Sequence, residues 1–477
     1  MPNYEEYLHL PEYVNLITLL RKGIATHHSK MLPVLKEIVE IFFAKGYIKL
    51  LFATETVAIG LNLPVKSCIF TDINKHDGAC QRILQAHEYT QGGGRAGRLG
   101  LDKIGHVIHL NNLFRNIDSV NYKQMMNGKP QTLTSKFKIS YNLLLNLLDI
   151  GDNNLTQFAS KSMITGDIDG QMKEIYGKIV LSQSELDNSN NYIKMLRTPT
   201  NIICEYIDLQ KNVKFAVNKK RKEMERNIQR IKDEYKFIEQ DLQSYLKVSE
   251  KEKEIQTLQA EYDSLNKYFQ SGVDTVLNLL DEEGFLQTTV PTVNNLTILG
   301  KIASQIREIH CLTFAKLFEN KSLDQLSSKQ LVALFSCFTN IRVQDDFREN
   351  NPNSDDKKVN DIVNQVEKMY FEYKDKEIKR NINTGFDYEI HYDLLNFVEN
   401  WCECESIEDC KLVLQELGEK KEIFLGEFVK ALLKINNIAA EFEKIAEMTG
   451  NIEFLSKLRE IPNMTLKYVV TNQSLYV

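Results

Sequence analysis

At 477 residues the chain has the length of about three domains, and its 43 % apolar content is ample for sizeable cores. A net charge of −6 excludes a protein coated in basic charge, so any nucleic acid has to be met by cations gathered in one place. The eight cysteines include no C-x-x-C pair, and there is neither a secretory leader nor an apolar run of membrane-spanning length; reduced thiols in the cytoplasm or nucleus, and no membrane, are expected.

The chain opens on the helical pattern Val14, Ile17, Leu20 behind Leu10-Pro11-Glu12-Tyr13. Strand candidates follow at Ile24 to His28, Ile48 to Thr54, Ser67 to Thr71 and His106 to Leu110. They alternate with helical segments such as Pro33 to Ala44, an α/β pattern. Three stretches here carry chemistry. The first is Gly23-Ile24-Ala25-Thr26-His27-His28 with Met31-Leu32-Pro33. The second is Phe52-Ala53-Thr54-Glu55-Thr56-Val57-Ala58-Ile59-Gly60-Leu61-Asn62-Leu63-Pro64. The third, which organises the chain, is Gln91-Gly92-Gly93-Gly94-Arg95-Ala96-Gly97-Arg98-Leu99-Gly100.

Gly92, Gly94 and Gly97 match G-x-G-x-x-G, but the match follows the polar run Gln85 to Thr90 instead of a strand and encloses two arginines. Fixed, planar cations in a tight turn suit a phosphate sensor better than a phosphate cradle. A local capping or pairing role for Arg95 and Arg98 is the alternative. Asp72 to Gln85 reads as a polar insertion.

Leu133 to Leu147 reads as an amphipathic to strongly apolar helix behind a Ser/Thr start. Between 200 and 270 apolar residues step by four and three: Met224, Ile228, Ile231, Tyr235, Ile238, Leu242 and Tyr245, then Ile255, Leu258, Tyr262, Leu265 and Phe269. The charged run Lys247 to Glu254 breaks the register, which predicts two helices of an antiparallel coiled coil or one helix with a slip. Lys219-Lys220-Arg221-Lys222 is expected to be a solvated face. Residues 345–360 look like an exposed loop.

After Gly426, the residues Phe428, Leu432, Ile435, Ile438 and Phe442 form one apolar stripe, with Lys430, Lys434, Asn437 and Glu441 opposite. That polar face is either plainly solvated or meets phosphate, base and sugar. Cys402, Cys404 and Cys410 lack the second pair or histidines that zinc requires, and no metal site is expected.

In order and wording, the three N-terminal stretches resemble the second RecA-like domain of superfamily 2 helicases. The resemblance is closest to the superkiller-type DExH-box RNA helicases, which work with the RNA exosome and read HHxxxLP, FATETxxxGLNxPA and QxxGRAGRxG. Leu133 to Leu147 is similar to that family's LxSxFxLxYNxxLNL element. Glu283-Gly284-Phe285-Leu286 with Leu326 to Phe338 is similar to the opening of its C-terminal DSHCT domain.

The resemblance implies four parts: an N-terminally incomplete second RecA-like domain at 1–115, a winged helix at 116–180, a coiled-coil stalk lacking an arch head at 181–275, and a DSHCT-type helical domain at 276–477 with a ratchet-like helix over 426–445. It implies arginine fingers at Arg95 and Arg98 reaching a γ-phosphate, a cleft-facing glutamine at Gln91, and nucleotide contacts at Gly60, Asn62 and Gly94. RNA contacts are implied at Thr54, Lys430, Lys434 and Asn437, whereas a buried structural role for His27 and His28 stands beside RNA contact. The implied activity is ATP-dependent RNA unwinding or translocation. ATP and Mg2+ would be held mainly by a first RecA-like domain, since this sequence contains no G-x-x-x-x-G-K-[ST]. The chain alone is therefore expected not to hydrolyse ATP, with the P-loop lost or supplied by another polypeptide and an exosome-type machinery as a further partner.

Overall fold

Helices dominate, and every strand of the described residues falls before residue 110. The structure, a computed structural model, describes residues 4–54, 65–76, 81–98, 100, 102–110, 113, 118–128, 135, 137–151, 154–193, 196–287 and 296–471. It divides into one unit of Met1–Leu133, Ser140–Asn153 and Asn278–Val477 and a second of Thr134–Ile139 and Asn154–Leu277.

The first unit begins with α1 (Tyr4–Leu8) and α2 (Pro11–Leu20), then β1 (Ile24–His27), α3 (Pro33–Ala44) and β2 (Leu50–Ala53). Pro11 and Pro33 stand in the first turns of their helices, where the missing N–H has no intrahelical partner to lose. β1 and β2 are parallel, with His27 opposite Ala53, so β1–α3–β2 is a βαβ unit. Next come β3 (Ser67–Phe70), β4 (Asn74–His76), β5 (Gln81–Ile83), α4 (Ala86–Gly93), β6 (His106–His109) and α5 (Ser119–Asn127). β3 pairs in parallel with β6, and β4 pairs antiparallel with β5. The polar insertion therefore contains an ordered ladder. It is tied to α4 by Glu88, which takes Arg82 at 2.7 Å and Lys75 at 3.0 Å. Those hydrogen bonds, that of Arg82 foremost, hold the Glu88 carboxyl down at about 2. Helix α6 (Tyr141–Asp149) starts later than the sequence pattern suggested, because the Ser140 hydroxyl caps it by accepting from the Leu143 N–H.

The second unit holds α7 (Leu155–Ser160), α8 (Ile164–Ile193), α9 (Thr200–Val213), α10 (Asn218–Glu234), α11 (Ile238–Asn266) and the part of α12 (Tyr268–Glu282) up to Leu277. α8 and α11 pair antiparallel: Glu185 meets Lys251 at 2.9 Å, and the Tyr176 and Tyr262 rings lie 6.2 Å apart. α8 buries Ile168, Ile175 and Ser182, which step by seven, and Leu186 four residues on, and it runs unbroken through the expected domain boundary at 180. The coiled-coil partner of α11 is thus α8, not a neighbour within 224–269. The expected break at Lys247 to Glu254 also gives way. α11 continues through it with Lys251 bridging Glu185 and Glu254, and the chain turns instead at Tyr235 to Phe237. α9 and α10 form a hairpin over the start of α11, with Ile203, Tyr206, Ile231 and Ile238 as its core.

The first unit resumes with α13 (Ile298–Gln305), α14 (Cys311–Glu319), α15 (Ser328–Ser336), α16 (Lys357–Lys379), α17 (Leu395–Glu403), α18 (Ile407–Lys421), α19 (Leu425–Thr449) and α20 (Ile452–Thr465). The stripe Phe428, Leu432, Ile435, Ile438 and Phe442 is fully buried, with Phe442 stacked on Phe335 at 5.6 Å. Trp401 donates from Nε1 to the Thr465 carbonyl at 3.1 Å. The expected loop 345–360 is anchored: Ser354 is buried and bonds Glu399, and Asn360 bonds back to the Ser354 carbonyl.

His310 sits among the rings of Tyr141, Tyr370, Tyr373, Phe386 and Tyr388, with its Nδ1 at 2.8 Å from the Thr313 hydroxyl. Burial pushes its pKa down to about 3. A depressed folded-state value means that His310 supports folding above the unfolded pKa of about 6.5 and that this support is lost as pH falls toward 3. Its share of the lost stability is expected to approach about 1.4 kcal/mol per pH unit in that window. Urea unfolding at pH 7 and pH 5 checks this. A His310→Asn variant is expected to be weaker at pH 7 but to show a shallower acid slope than the unaltered chain.

Candidate nucleic-acid interface

The C-terminal ends of parallel strands are where open α/β sheets place ligands. At that end of the β1–β2 pair the sequence runs His27-His28-Ser29-Lys30, and Thr54 follows β2 with its N–H donated to the His27 carbonyl at 3.2 Å. Helix α19 arrives at the same place from nearly 400 residues along the chain. Lys430 donates from Nζ to the Ser29 carbonyl at 3.1 Å, and Lys36 of α3 donates to that same oxygen at 2.9 Å. The Lys30 ammonium lies 4.2 Å from the centre of the Phe424 ring, at the helix entry.

Gly426 makes this approach possible. A Cβ there would stand 2.5 Å from the Lys30 carbonyl oxygen and 2.6 Å from that of Met31. The glycine that opens the stripe in the sequence is thus the point where α19 seats on the loop leading into α3.

The electrostatics of the junction are basic. Burial lowers the Lys36 pKa and the Lys430 charge lowers it further, with Glu40 opposing. His28 is also lowered, by burial first and then by Lys36, His27 and Lys30. Lys30, Lys36 and Lys430 thus bring three cations to one loop, an arrangement that attracts an anion. His27, by contrast, is buried, and its Nε2 lies 2.9 Å from Glu40, which gives it a structural place.

Further along α19, Lys434 faces Glu308 at 3.6 Å and Asn437 is exposed. Glu441 does not belong to a solvated face. Its carboxylate accepts the backbone N–H groups of Arg307 at 2.9 Å and Glu308 at 3.2 Å, and burial raises its pKa. The periodicity gave no sign of this, since the partner is a backbone turn that no side-chain pattern marks.

The arginine motif stands at the other parallel pair. Gln91 is exposed on α4, and Gly94 caps that helix. Residues 95–97 bridge to Val65: the Val65 N–H donates to the Arg95 carbonyl at 3.0 Å, and the Gly97 N–H to the Val65 carbonyl at 2.6 Å. Gly97 adopts φ +95°, which a side chain at this position would resist. Arg95 is half-buried. Arg98 is engaged locally: Asp102 takes its Nε at 2.7 Å, its Nη2 at 2.9 Å and its backbone N–H at 3.1 Å. That pairing, the side-chain hydrogen bond foremost, holds the Asp102 carboxyl at about 2. Gly60 and Asn62 lie outside the described residues. The structure thus gathers Thr54 and Lys430 at one locus and Gln91, Gly94, Arg95 and Arg98 at another.

Among the described residues no cluster of His, Cys, Asp and Glu is arranged to hold a metal ion, and no helix is long and apolar enough to cross a membrane.

Residues 293–472 match the DSHCT (NUC185) domain family. This match, with the relatives below, supports the resemblance to the C-terminal portion of the superkiller-type DExH-box helicases. It is 38 % identical over 219 residues to the DExH-box ATP-dependent RNA helicase DExH9 of Arabidopsis thaliana, 44 % of this chain and 21 % of that one. It is 49 % identical over 142 residues to the antiviral helicase SKI2 of Saccharomyces cerevisiae, 30 % of this chain and 11 % of the relative. With the exosome RNA helicase MTR4 of Mus musculus it shares 38 % identity over 186 residues, 37 % of this chain and 18 % of that protein. The chain thus spans about a fifth or less of the length of these relatives.

Replacing Gly426 by alanine is expected to push the loop 29–31 off α19 and to destabilise the first unit by about 1–3 kcal/mol, the usual cost of overpacking. Urea unfolding followed through the single tryptophan, Trp401, measures it, because that side chain lies at 5.3 Å from Phe428 on the same helix.

Proposed function

We propose that this chain is the RNA-gripping part of an ATP-dependent RNA helicase and acts in RNA processing or decay. The observation that carries this reading is the convergence of Thr54 and Lys430 on His27 to Ser29, with Lys30 and Lys36 beside them. Cations gathered at the strand ends answer the requirement set by a net-acidic chain. Phosphates of a single strand would pass over the Ser29 loop and along α19, with Lys434 and Asn437 next in line.

In the full reaction, a P-loop RecA-like domain from the same or another polypeptide would hold ATP and Mg2+. Arg95 and Arg98 would then face the γ-phosphate, with Gln91, Gly94, Gly60 and Asn62 lining the cleft. The relatives' names support this reading: all three are helicases, two of them RNA helicases and one of those an exosome RNA helicase. Exposed apolar residues on the two parallel pairs, Leu50, Phe52, Ile69 and Val107, are also consistent with a further domain docking there. One observation favours a second reading, that of a non-catalytic RNA-binding subunit: the Arg98 guanidinium is already committed to Asp102.

Lys430→Ala removes one phosphate contact and leaves Ser29 with Lys36. It is expected to weaken binding of a fluorescent single-stranded RNA by about five- to tenfold and to reduce the slope of log affinity against log salt by about 0.7. Unchanged affinity and slope would remove the interface. ATP turnover, measured on the chain alone and with its co-purifying proteins, separates the two readings. Turnover that needs a P-loop partner and falls by about 10³-fold or more in Arg95→Ala supports the helicase. RNA binding with no turnover in either preparation supports the subunit.

A further inference from the structure

The turn between α9 and α10 has a chemistry unlike the rest of the second unit. Residues 211–222 contain six cations, Lys211, Lys214, Lys219, Lys220, Arg221 and Lys222, and no carboxylate, in a chain whose net charge is −6. All six are exposed. Between them stand Phe215, 85 % exposed, and Val217, 74 % exposed; no other large apolar side chain among the described residues is as open as Phe215.

The hairpin does not need these residues to fold. Its core is Ile203, Tyr206, Ile231 and Ile238, well away along both helices. Arg221 reaches Glu225 at 2.9 Å, but the other five cations form no ion pair among the described residues. Lys219, Lys220 and Arg221 also crowd the first turn of α10, with Lys222 next, where the helix dipole is positive, which opposes folding instead of aiding it. An exposed ring costs solubility in the same way. Both features gain a purpose when a polyanion with flat, stackable faces lies against them.

We propose that this hairpin tip is a second binding point for single-stranded RNA, with the lysines on consecutive phosphates and the Phe215 ring stacked on a base. The proposal rests on the helicase reading only in taking RNA as the polyanion. An interfacial membrane anchor buries a broad apolar face, whereas this tip offers two apolar side chains among six cations.

The test uses the full chain with Phe215→Trp. Its natural tryptophan, Trp401, is fully buried, so the introduced indole reports the tip. A twelve-nucleotide oligouridylate is added while the anisotropy of the same labelled RNA follows binding. The expected result is quenching of the indole by about half in step with binding, retained when Lys430→Ala is added. Replacing Lys219, Lys220 and Lys222 by alanine is expected to weaken binding about tenfold and to reduce the salt slope by about 2. RNA that binds without quenching overturns the tip site and leaves the α19 interface standing. Quenching that survives Lys430→Ala while that variant binds as the parent does supports the tip and removes the interface. Absence of any RNA binding overturns both. A blue shift of the indole with anionic phosphatidylserine vesicles, and no response to RNA, overturns the proposal in favour of a membrane surface.

Discussion

Two lysine ammonium groups share one carbonyl oxygen, that of Ser29, and the packing of α19 holds them there. One comes from α3 through Lys36 and the other from α19 through Lys430. Their repulsion, on the order of 1–3 kcal/mol at a partly solvated site, works against the packing of the two elements. The contact persists because α19 is fixed elsewhere. Its buried stripe holds it in the helical bundle, and Gly426 lets its first turn lie directly on the backbone of Lys30 and Met31. Neutral oxygen is a modest partner for two cations. A phosphate oxygen is a better one, and that difference is the physical basis of the proposed interface.

The two loci divide the candidate residues by chemistry. At the β1–β2 end, flexible point charges converge on a loop, an arrangement suited to a backbone that slides past. At the β3–β6 end, the Val65 bridge and Gly97 fix the backbone of the turn and Asp102 holds the Arg98 guanidinium in a fork, a more rigid arrangement. The Arg98–Asp102 fork gives this second locus a resting partner that a nucleotide would have to displace.

Much of this was legible in the sequence because local rules dominate it. The alternation that predicts β1, α3 and β2 follows from apolar spacing, and the stripe of α19 from a strict 3.6-residue period. What the sequence concealed follows from longer-range causes. The apolar steps of α10 run in register into α11, so the turn at Tyr235 to Phe237, which contains neither Gly nor Pro, leaves no trace in the period. α8 escaped notice as the coiled-coil partner because Ser182 occupies a core position and glycines interrupt its propensity. Glu441 looked solvent-facing because its partners are backbone N–H groups of a distant turn. Gly60 and Asn62 lie outside the described residues.

On the proposed function, one RNA strand lies across the Ser29 loop and the first half of α19. The most direct measurement is ultraviolet cross-linking of a 4-thiouridine-substituted single-stranded RNA to the full chain, with the attached peptides located by mass spectrometry. Cross-links are expected in the peptides containing His28 to Lys36 and Lys430 to Asn437, both lost in high salt. Cross-links confined to other surfaces, with these two peptides unmodified, would contradict it.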